Sequence, residues 1–194
     1  MSGLNFTVWF TGKQYSGKSA AARAAADELE KRGFKVEIID EEDFFKEIWN
    51  GKELDSRMRE DGEQFLACLC KRLNNMGKVC VAATASPLAE TREQAKRRIK
   101  NFVEVFCYAP DDTLTIRAAD SPDKDVDYGK VLSDYEAPEN PALTLKTDVT
   151  EPDLCAQATL VKLEEMGYVE PSVEEYSDDE RKEIDERLKS LGYM

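Results

Sequence analysis

The segment at residues 12–19, with the sequence GKQYSGKS, constrains the fold of this chain more than any other feature. It fits G-x-x-x-x-G-K-[S/T], the pattern of a phosphate-binding loop that joins a buried strand to a helix. The apolar run at residues 5–10 precedes the loop, and the run at residues 19–32, rich in Ala and Glu, favours a helix after it. The pattern in this context predicts a loop whose backbone N–H groups bind a polyphosphate.

The residue types within this loop indicate what each would do. The ammonium of Lys18 would reach the β- and γ-phosphates of a nucleotide, and the hydroxyl of Ser19 would hold Mg²⁺. Tyr15 is the unusual member, because a bulky residue stands where many small-molecule kinases have glycine. A glycine turn that fits the pattern by chance is the alternative, and the flanking strand and helix argue against it. The residues predicted to contact the nucleotide here are Gly12, Tyr15, Ser16, Gly17, Lys18 and Ser19.

Strand-like apolar runs alternate with helix-like stretches along most of the chain. The predicted strands after the first cover residues 35–40, 77–84, 102–109 and 143–145. The predicted helices after the first cover residues 60–75, 87–100, 111–117 and 151–166. This repetition is typical of a parallel sheet covered by helices on both faces. We therefore predict a three-layer α/β fold like that of P-loop kinases, with the kinase domain at residues 1–168.

Residues 118–140 break this alternation. They are polar, lack periodicity and contain two prolines, which predicts a long loop. A long loop in a compact domain is often a functional lid, and here it would close over a substrate. The alternative is a disordered surface insertion.

The C-terminal tail at residues 169–194 carries the signals of one short helix. Its residues 177–180 form a capping box, and Ile184, Leu188 and Leu191 give the following helix a narrow apolar stripe. The helix would dock on its own domain or on a neighbouring subunit, which would make a homodimer. The alternative is a frayed terminus in solvent.

Composition excludes several classes of function. The net charge of −13 disfavours nucleic acids and anionic membrane surfaces as partners. The absence of histidine excludes a Ser-His-Asp triad and a His-ligated zinc site, so a carboxylate, Lys, Tyr or Cys must act as any general base.

The five cysteines contain no C-x-x-C pair and suggest buried free thiols in a reducing compartment. Because no apolar run approaches the length of a membrane span, we expect a cytoplasmic protein.

The predicted sheet brings several polar residues to one edge. Ligands of parallel sheets bind beyond the carboxyl ends of the strands, where Gly12, Asp40, Ser86 and Pro110 would meet. Asp40 could there face the γ-phosphate, a Mg²⁺-bound water or an acceptor hydroxyl. The alternative is a solvated acidic helix start, because three more acids follow it. The candidate cations for binding phosphate or sulfate are Arg59, Arg92 and Arg117.

Short motifs along the chain, together with the loop, resemble the adenylylsulfate kinase family. The resemblance extends from residue 6 to residue 167. In chain order the motifs are WFTG at 9–12, GKS at 17–19, GKVC at 77–80, SP at 86–87 followed by Arg92, FVEVF at 102–106, AP at 109–110, YEAP at 135–138 and LKT at 145–147. The phosphate loop occurs in many protein classes, whereas the later motifs in this order are specific.

The resemblance implies a kinase that transfers the γ-phosphate of ATP to the 3′-hydroxyl of adenylylsulfate. On the donor side it implies that Lys18 and Ser19 serve ATP and Mg²⁺, that Arg117 stacks on the adenine, and that Thr147 lies nearby. On the acceptor side the implied residues are Asp40, Arg59, Ser86, Pro87 and Tyr128. The expected catalytic residues are Lys18, Asp40 and Ser86.

Departures from the family pattern are concentrated on the acceptor side. Phe45 stands where the family has an acceptor-binding arginine, and Gly62 and Phe65 replace an asparagine and a second arginine. The lid is shortened, and only Tyr128 could keep its aromatic stacking. Each lost charge-assisted hydrogen bond is worth about 1.5–3 kcal/mol, so this side should bind adenylylsulfate poorly unless other residues substitute.

Three hypotheses follow from the sequence. The first is an adenylylsulfate kinase, and the second is a kinase of the same fold that acts on another hydroxyl-bearing nucleotide or metabolite. The third is a non-catalytic nucleotide-binding regulatory module. Because Lys18 and Ser19 are both present, the loop itself favours catalysis.

Overall fold

The computed structural model of the protein describes residues 4–50, 55–121 and 135–171, together with residues 186, 187, 189, 190 and 192. The strands are β1 (Thr7–Thr11), β2 (Val36–Asp40), β3 (Val79–Thr84), β4 (Phe102–Tyr108) and β5 (Leu143–Lys146). The helices of the main described ranges are α1 (Lys18–Lys31), α2 (Glu41–Trp49), α3 (Ser56–Asn75), α4 (Ala89–Arg98), α5 (Asp111–Ala119) and α6 (Pro152–Glu165).

All five described strands form one parallel sheet in the order β2-β3-β1-β4-β5. β1 lies in the centre, where Val8 pairs with Val81 of β3 and with Val103 of β4. The strands that follow β1 in the chain lie on both sides of it, so the strand order reverses at β1. In parallel sheets ligands bind beyond the carboxyl ends of the strands at such a point, which is where the loop after β1 lies. The predicted three-layer α/β fold is confirmed.

Each face of the sheet has its own core. On one face Val8 and Phe10 pack against α1 and α6, and small side chains such as Ala22 let α1 lie close to the strands. On the other face Trp9 packs in the cluster that contains Leu66 of α3. The alternation of these strand residues follows from the two-residue period of a strand. Burial of β1 on both faces fixes the strand that leads into the phosphate loop.

Helix α2 was considered in the sequence analysis only as the alternative interpretation of Asp40, an acidic helix start. Its first turn is capped by Asp40, whose Oδ1 accepts a hydrogen bond from the Glu42 N–H at 3.1 Å. Asp55 caps α3 in the same way, accepting from the Met58 N–H at 2.8 Å, so α3 begins well before the predicted residue 60. Both helix starts depend on side-chain caps, which an apolar pattern does not show.

Much of the predicted lid and tail lies outside the described residues. These include Tyr128 and residues 172–185 of the tail. Where the predicted lid is described, its start is helical, because α5 continues to Ala119. All five cysteines are free thiols, and four of them are buried. Within the described ranges, no helix combines the length and the apolarity needed to cross a membrane.

Candidate active site

The loop between β1 and α1 adopts a conformation that requires its glycines. A Cβ atom at Gly12 would lie 2.4 Å from the carbonyl oxygen of Cys107, so only glycine fits there. Gly17 has a φ of 80° at the start of α1. Tyr15 has a φ of 61°, a left-handed conformation that glycine adopts more easily. The backbone therefore keeps the shape of a glycine-rich loop even where the side chain is large.

The loop presents polar groups that have no partner in the described part of the chain. Lys18 is only 5% exposed, yet no salt bridge or hydrogen bond to its ammonium occurs within the described ranges. The buried hydroxyl of Ser16 also lacks a hydrogen-bond partner there. Ser19 follows in the first turn of α1, where the N–H groups of the helix end point into the loop. An anion bound in the loop would satisfy these groups.

A cavity of about 350 Å³ lies beside the loop, and Gly17, Arg117, Thr147 and Pro152 are among the residues that line it. The guanidinium of Arg117 is held by the loop, because it donates to the Tyr15 carbonyl at 3.2 Å and to the Thr147 carbonyl at 2.5 Å. The Thr147 hydroxyl donates to the Ser16 carbonyl at 2.6 Å. A fixed planar cation in a cavity wall is suited to stacking on a planar base. Both residues that the sequence assigned to the adenine thus lie together beside the loop.

At the carboxyl end of β2, Asp40 has two structural contacts. Besides capping α2, its carboxylate lies 3.6 Å from Nη2 of Arg23. The same guanidinium lies 3.3 Å from the carboxylate of Asp43, which is far more exposed. The hydrogen bond of Asp40 therefore agrees with the alternative interpretation, in which this residue starts an acidic helix. The role of Asp40 toward an acceptor stays a prediction.

Two glutamates that the sequence analysis missed lie buried behind this edge. Oε2 of Glu41 accepts hydrogen bonds from the Thr84 hydroxyl at 2.6 Å and from the Ala85 N–H at 2.5 Å. Glu63 of α3 is also buried, and its Oε2 has no hydrogen-bond partner in the described structure. Burial raises the pKa of Glu63 to about 8, and the charge of Glu41 adds to this rise. This rise favours the neutral form of the Glu63 carboxyl group.

Ser86 lies beside these glutamates and is completely buried. Its hydroxyl is 3.1 Å from the Thr84 hydroxyl. Direct contact between Ser86 and an acceptor, predicted from the sequence, would require this arrangement to open. Pro87 is half-buried, and its carbonyl accepts from the Glu136 N–H at 2.9 Å.

Arg92, a candidate cation in the sequence, belongs to the scaffold. Its Nε lies 3.0 Å from Glu104, and its other nitrogens donate to the carbonyls of Ser86 at 2.6 Å and Glu136 at 2.5 Å. The guanidinium also lies over the ring of Tyr135, 5.4 Å from its centroid. The expectation that Arg92 binds a ligand anion is wrong, because protein groups already occupy this guanidinium.

Aromatic rings pack around Phe45, the residue that the sequence analysis placed where the family has an arginine. Phe45 and Trp49 pack edge to face, with ring centroids 5.0 Å apart. A Cβ atom at Gly62 would lie 2.6 Å from the ring of Phe45, so the two residues fit only as a pair. Arg59 is half-buried, and no ion pair of its side chain occurs among the described residues. The role of Arg59 toward an acceptor stays a prediction.

We expect Gly62→Ala to lower the free energy of unfolding by about 1–3 kcal/mol, because the new methyl group overpacks against Phe45. Alanine inside a helix normally stabilises by about 0.5–1 kcal/mol relative to glycine, so the two effects have opposite signs. Urea unfolding measures the change. In a Phe45→Leu background the same substitution should cost less, and the remaining cost comes from Trp49, whose Cη2 atom would lie 2.9 Å from the new methyl group. A stability gain in the otherwise unchanged protein would contradict this packing.

Comparisons with known proteins agree with this geometry. Residues 4–146 match the sequence profile described as adenylylsulphate kinase. The chain is 30% identical over 175 residues to a probable adenylyl-sulfate kinase of Pyrococcus abyssi, covering 84% of this chain and 98% of the relative. It is 30% identical over 171 residues to an adenylyl-sulfate kinase of Picosynechococcus, covering 85% and 97%. A solved structure of Mycobacterium tuberculosis APS kinase CysC in complex with AMPPNP and APS matches with a TM-score of 0.71 at 28% identity, covering 84% of this chain and 99% of that one. This chain belongs to the adenylylsulphate kinase family.

Proposed function

We propose that this protein transfers the γ-phosphate of ATP to the 3′-hydroxyl of adenylylsulfate. The observation that carries the proposal is Lys18, a buried ammonium at the end of the phosphate-binding loop that has no partner among the described residues. A desolvated cation without a partner costs free energy, and a bound polyphosphate would offset that cost. Membership of the family indicates adenylylsulfate as the acceptor. The phosphate-binding loop indicates ATP as the phosphate donor.

On the donor side, the phosphates of ATP would lie on the N–H groups at the start of α1. The adenine would enter the cavity beside Arg117 and Thr147. Mg²⁺ takes oxygen ligands and keeps several waters, so the Ser19 hydroxyl together with phosphate oxygens is a suitable donor set. Bound Mg²⁺ supplies neutralisation of the charge on the β- and γ-oxygens. Lys18 would stabilise the charge that develops on the transferred phosphoryl group.

On the acceptor side, Asp40 is the group proposed to take the proton of the acceptor hydroxyl. The chain has no histidine to do this, and a carboxylate at the mouth of the sheet is the natural substitute. Arg59, Pro87 and Tyr128 are the proposed contacts with the acceptor. Ser86 is buried on the same turn as Pro87 and would position that turn rather than touch the acceptor.

We expect Asp40→Asn to lower kcat by about 10²–10⁴-fold with little change in ATP affinity, since general-base catalysis contributes about that factor. Asparagine still caps α2, so the helix start is kept. Asp43→Asn is the matched control, because it removes the other partner of Arg23 and should leave kcat within about twofold. Steady-state kinetics and calorimetry of ATP binding separate the two effects. If ATP affinity collapses while kcat holds, Asp40 belongs to the donor side.

An ADP-release assay tests the proposed reaction. It uses ATP and Mg²⁺ with adenylylsulfate in one arm and other nucleotides and hydroxyl-bearing metabolites in the others. Turnover that is fastest with adenylylsulfate supports the proposal. The packing of Phe45 on Gly62 favours a second candidate, a kinase for a different nucleotide acceptor, and exclusive turnover of such an acceptor would establish it. ATP binding without turnover of any acceptor would indicate a regulatory nucleotide-binding module.

The proposal includes a cytoplasmic homodimer. The apolar stripe of the tail motivates the dimer. Light scattering with the full chain and with a chain that ends after Gly167 tests the assembly. An unchanged molar mass per particle, apart from the lost residues, would contradict a dimer that depends on the tail.

A further inference from the structure

Tyr135 lies at a junction between the phosphate loop and the Ser86–Pro87 turn. Its hydroxyl is 2.8 Å from the hydroxyl of Thr11, which is the last residue of β1. Gly12, the first glycine of the loop, follows Thr11 directly. The Thr11 hydroxyl in turn donates to the carbonyl of Ala85 at 2.7 Å, just before the turn. Two hydrogen bonds therefore connect the start of the phosphate loop, the start of the turn and one tyrosine.

The directions of these two hydrogen bonds follow from the protons that are available. A carbonyl oxygen can only accept, so the single proton of the Thr11 hydroxyl is used on Ala85. The Tyr135 hydroxyl must then be the donor to Thr11. Burial raises the pKa of this phenol, which favours the protonated form that can donate. Removal of either hydroxyl group would break the connection.

The ring of Tyr135 is held by its neighbours, so its hydroxyl has a defined position. The ring stacks on Phe106 of β4, with centroids 5.7 Å apart and planes 7° apart. The guanidinium of Arg92 lies 5.4 Å from the ring centroid, and Glu104 binds the same guanidinium. None of these contacts uses the hydroxyl. Phenylalanine at position 135 would therefore keep the packing of the ring and lose the hydrogen bond to Thr11.

The next residue, Glu136, holds the other end of the turn. Its N–H donates to the Pro87 carbonyl at 2.9 Å, and its carboxylate accepts from the Ala89 N–H at 2.7 Å. Helix α4 begins at Ala89, and its own N-cap residue supplies no side-chain cap. Residues 135 and 136 therefore hold the backbone both before and after Ser86.

We propose that Tyr135 is a positioning residue that sets the distance between the phosphate loop and the Ser86–Pro87 turn through the Thr11 hydroxyl. The inference rests on the proposed function, because it takes the loop as the site of the donor phosphate and the turn as part of the acceptor site. Phosphoryl transfer needs the γ-phosphoryl group and the acceptor hydroxyl close together and aligned. Loss of the Tyr135 hydroxyl would loosen this alignment while each substrate keeps its own contacts. The effect should therefore fall on kcat and spare the KM of both substrates.

Tyr135→Phe tests this role in steady-state kinetics with the full chain, ATP and adenylylsulfate. It should lower kcat by about tenfold, since a misplacement of about 1 Å between reacting groups can cost about 10²-fold. The KM values for the two substrates should stay nearly unchanged. Tyr108→Phe is the matched control and should leave kcat unchanged, because Tyr108 is 46% exposed and lies near the same phenylalanine, Phe106.

Substitutions at Thr11 show whether the effect passes through this hydrogen bond. Thr11→Val removes the hydroxyl with little change in shape, so it should lower kcat at least as much as Tyr135→Phe. The double variant should be no slower than Thr11→Val alone, because residues that act through one contact are not additive. Thr11→Ser keeps the hydroxyl and should retain the kcat of the unchanged protein.

Unchanged kcat in Tyr135→Phe, or additive losses in the double variant, would overturn the positioning role. A loss confined to the melting temperature would also overturn it, because a hydrogen bond that serves only stability does not change kcat below the melting transition. If Thr11→Val does not fold, the kinetics of Tyr135→Phe decide alone. If the unchanged protein turns over no acceptor, the proposed function fails and this inference fails with it, a result distinct from an active protein that tolerates Tyr135→Phe.

Discussion

Replacing Lys18 with alanine is expected to lower phosphoryl transfer by about 10²–10³-fold or more, the loss found when one stabilising donor is removed from a charged transition state. Lys18 is the buried cation of the phosphate loop, and no protein group of the described structure neutralises it. Its removal takes away a positive charge where the γ-phosphoryl group would develop negative charge. The rate of ADP release at saturating ATP measures the effect.

Lys13→Ala is the matched control for this experiment. Lys13 lies in the same loop, but its ammonium is paired with Asp111 at 3.0 Å and is more exposed. Its removal should change turnover by less than about fivefold, because an exposed ion pair is worth about 0–1 kcal/mol. Equal turnover of Lys18→Ala and the unchanged protein would reject the kinase function.

Replacing Arg92 with alanine is expected to lower the free energy of unfolding by about 3–5 kcal/mol, the usual cost of breaking a buried ion pair. The substitution leaves Glu104 without its partner and removes the donors to the Ser86 and Glu136 carbonyls. Burial already raises the pKa of Glu104, against the pull of Arg92. Without Arg92 this pKa rises further, so the loss of stability should be greater at pH 8 than at pH 5. Urea unfolding at both pH values measures it.

Arg97→Ala provides the comparison, because Arg97 is exposed on the same helix. A surface substitution of this kind usually changes stability by no more than about 0.5 kcal/mol. Equal losses for the two variants would mean that the cluster around Arg92 contributes little to folding.

The fold and the glycine-dependent loop after β1 could be predicted because their signals are local in sequence. The spacing of Gly12, Gly17, Lys18 and Ser19 is contained in one loop, and strand and helix periods appear directly in the neighbouring runs. Arg117 was assigned to the nucleotide from a motif resemblance, and the structure brings it to the same loop through the Tyr15 carbonyl. Local patterns and motif order were sufficient there.

The polar interior could not be predicted in the same way. Arg92 appeared to be a cation for a ligand because its partner Glu104 lies on a different element and is close only in the fold. Glu63 stands three residues before Leu66 and seven before Cys70, on the buried face of α3. Its place on the apolar face of the helix could have predicted from the sequence that this glutamate is buried. The buried groups around it, such as Glu41, nevertheless required the structure.

The contact between Phe45 and Gly62 has a consequence for how this protein can change over evolutionary time. A residue with a Cβ atom at position 62 would meet the phenylalanine ring at 2.6 Å, so Phe45 is compatible with glycine there and with little else. Introducing a side chain at position 62 while Phe45 is present carries an overpacking penalty. We therefore expect the effect of a side chain at position 62 to depend on the residue at position 45. Replacing the aromatic ring first would lower the overpacking penalty of a later substitution at position 62.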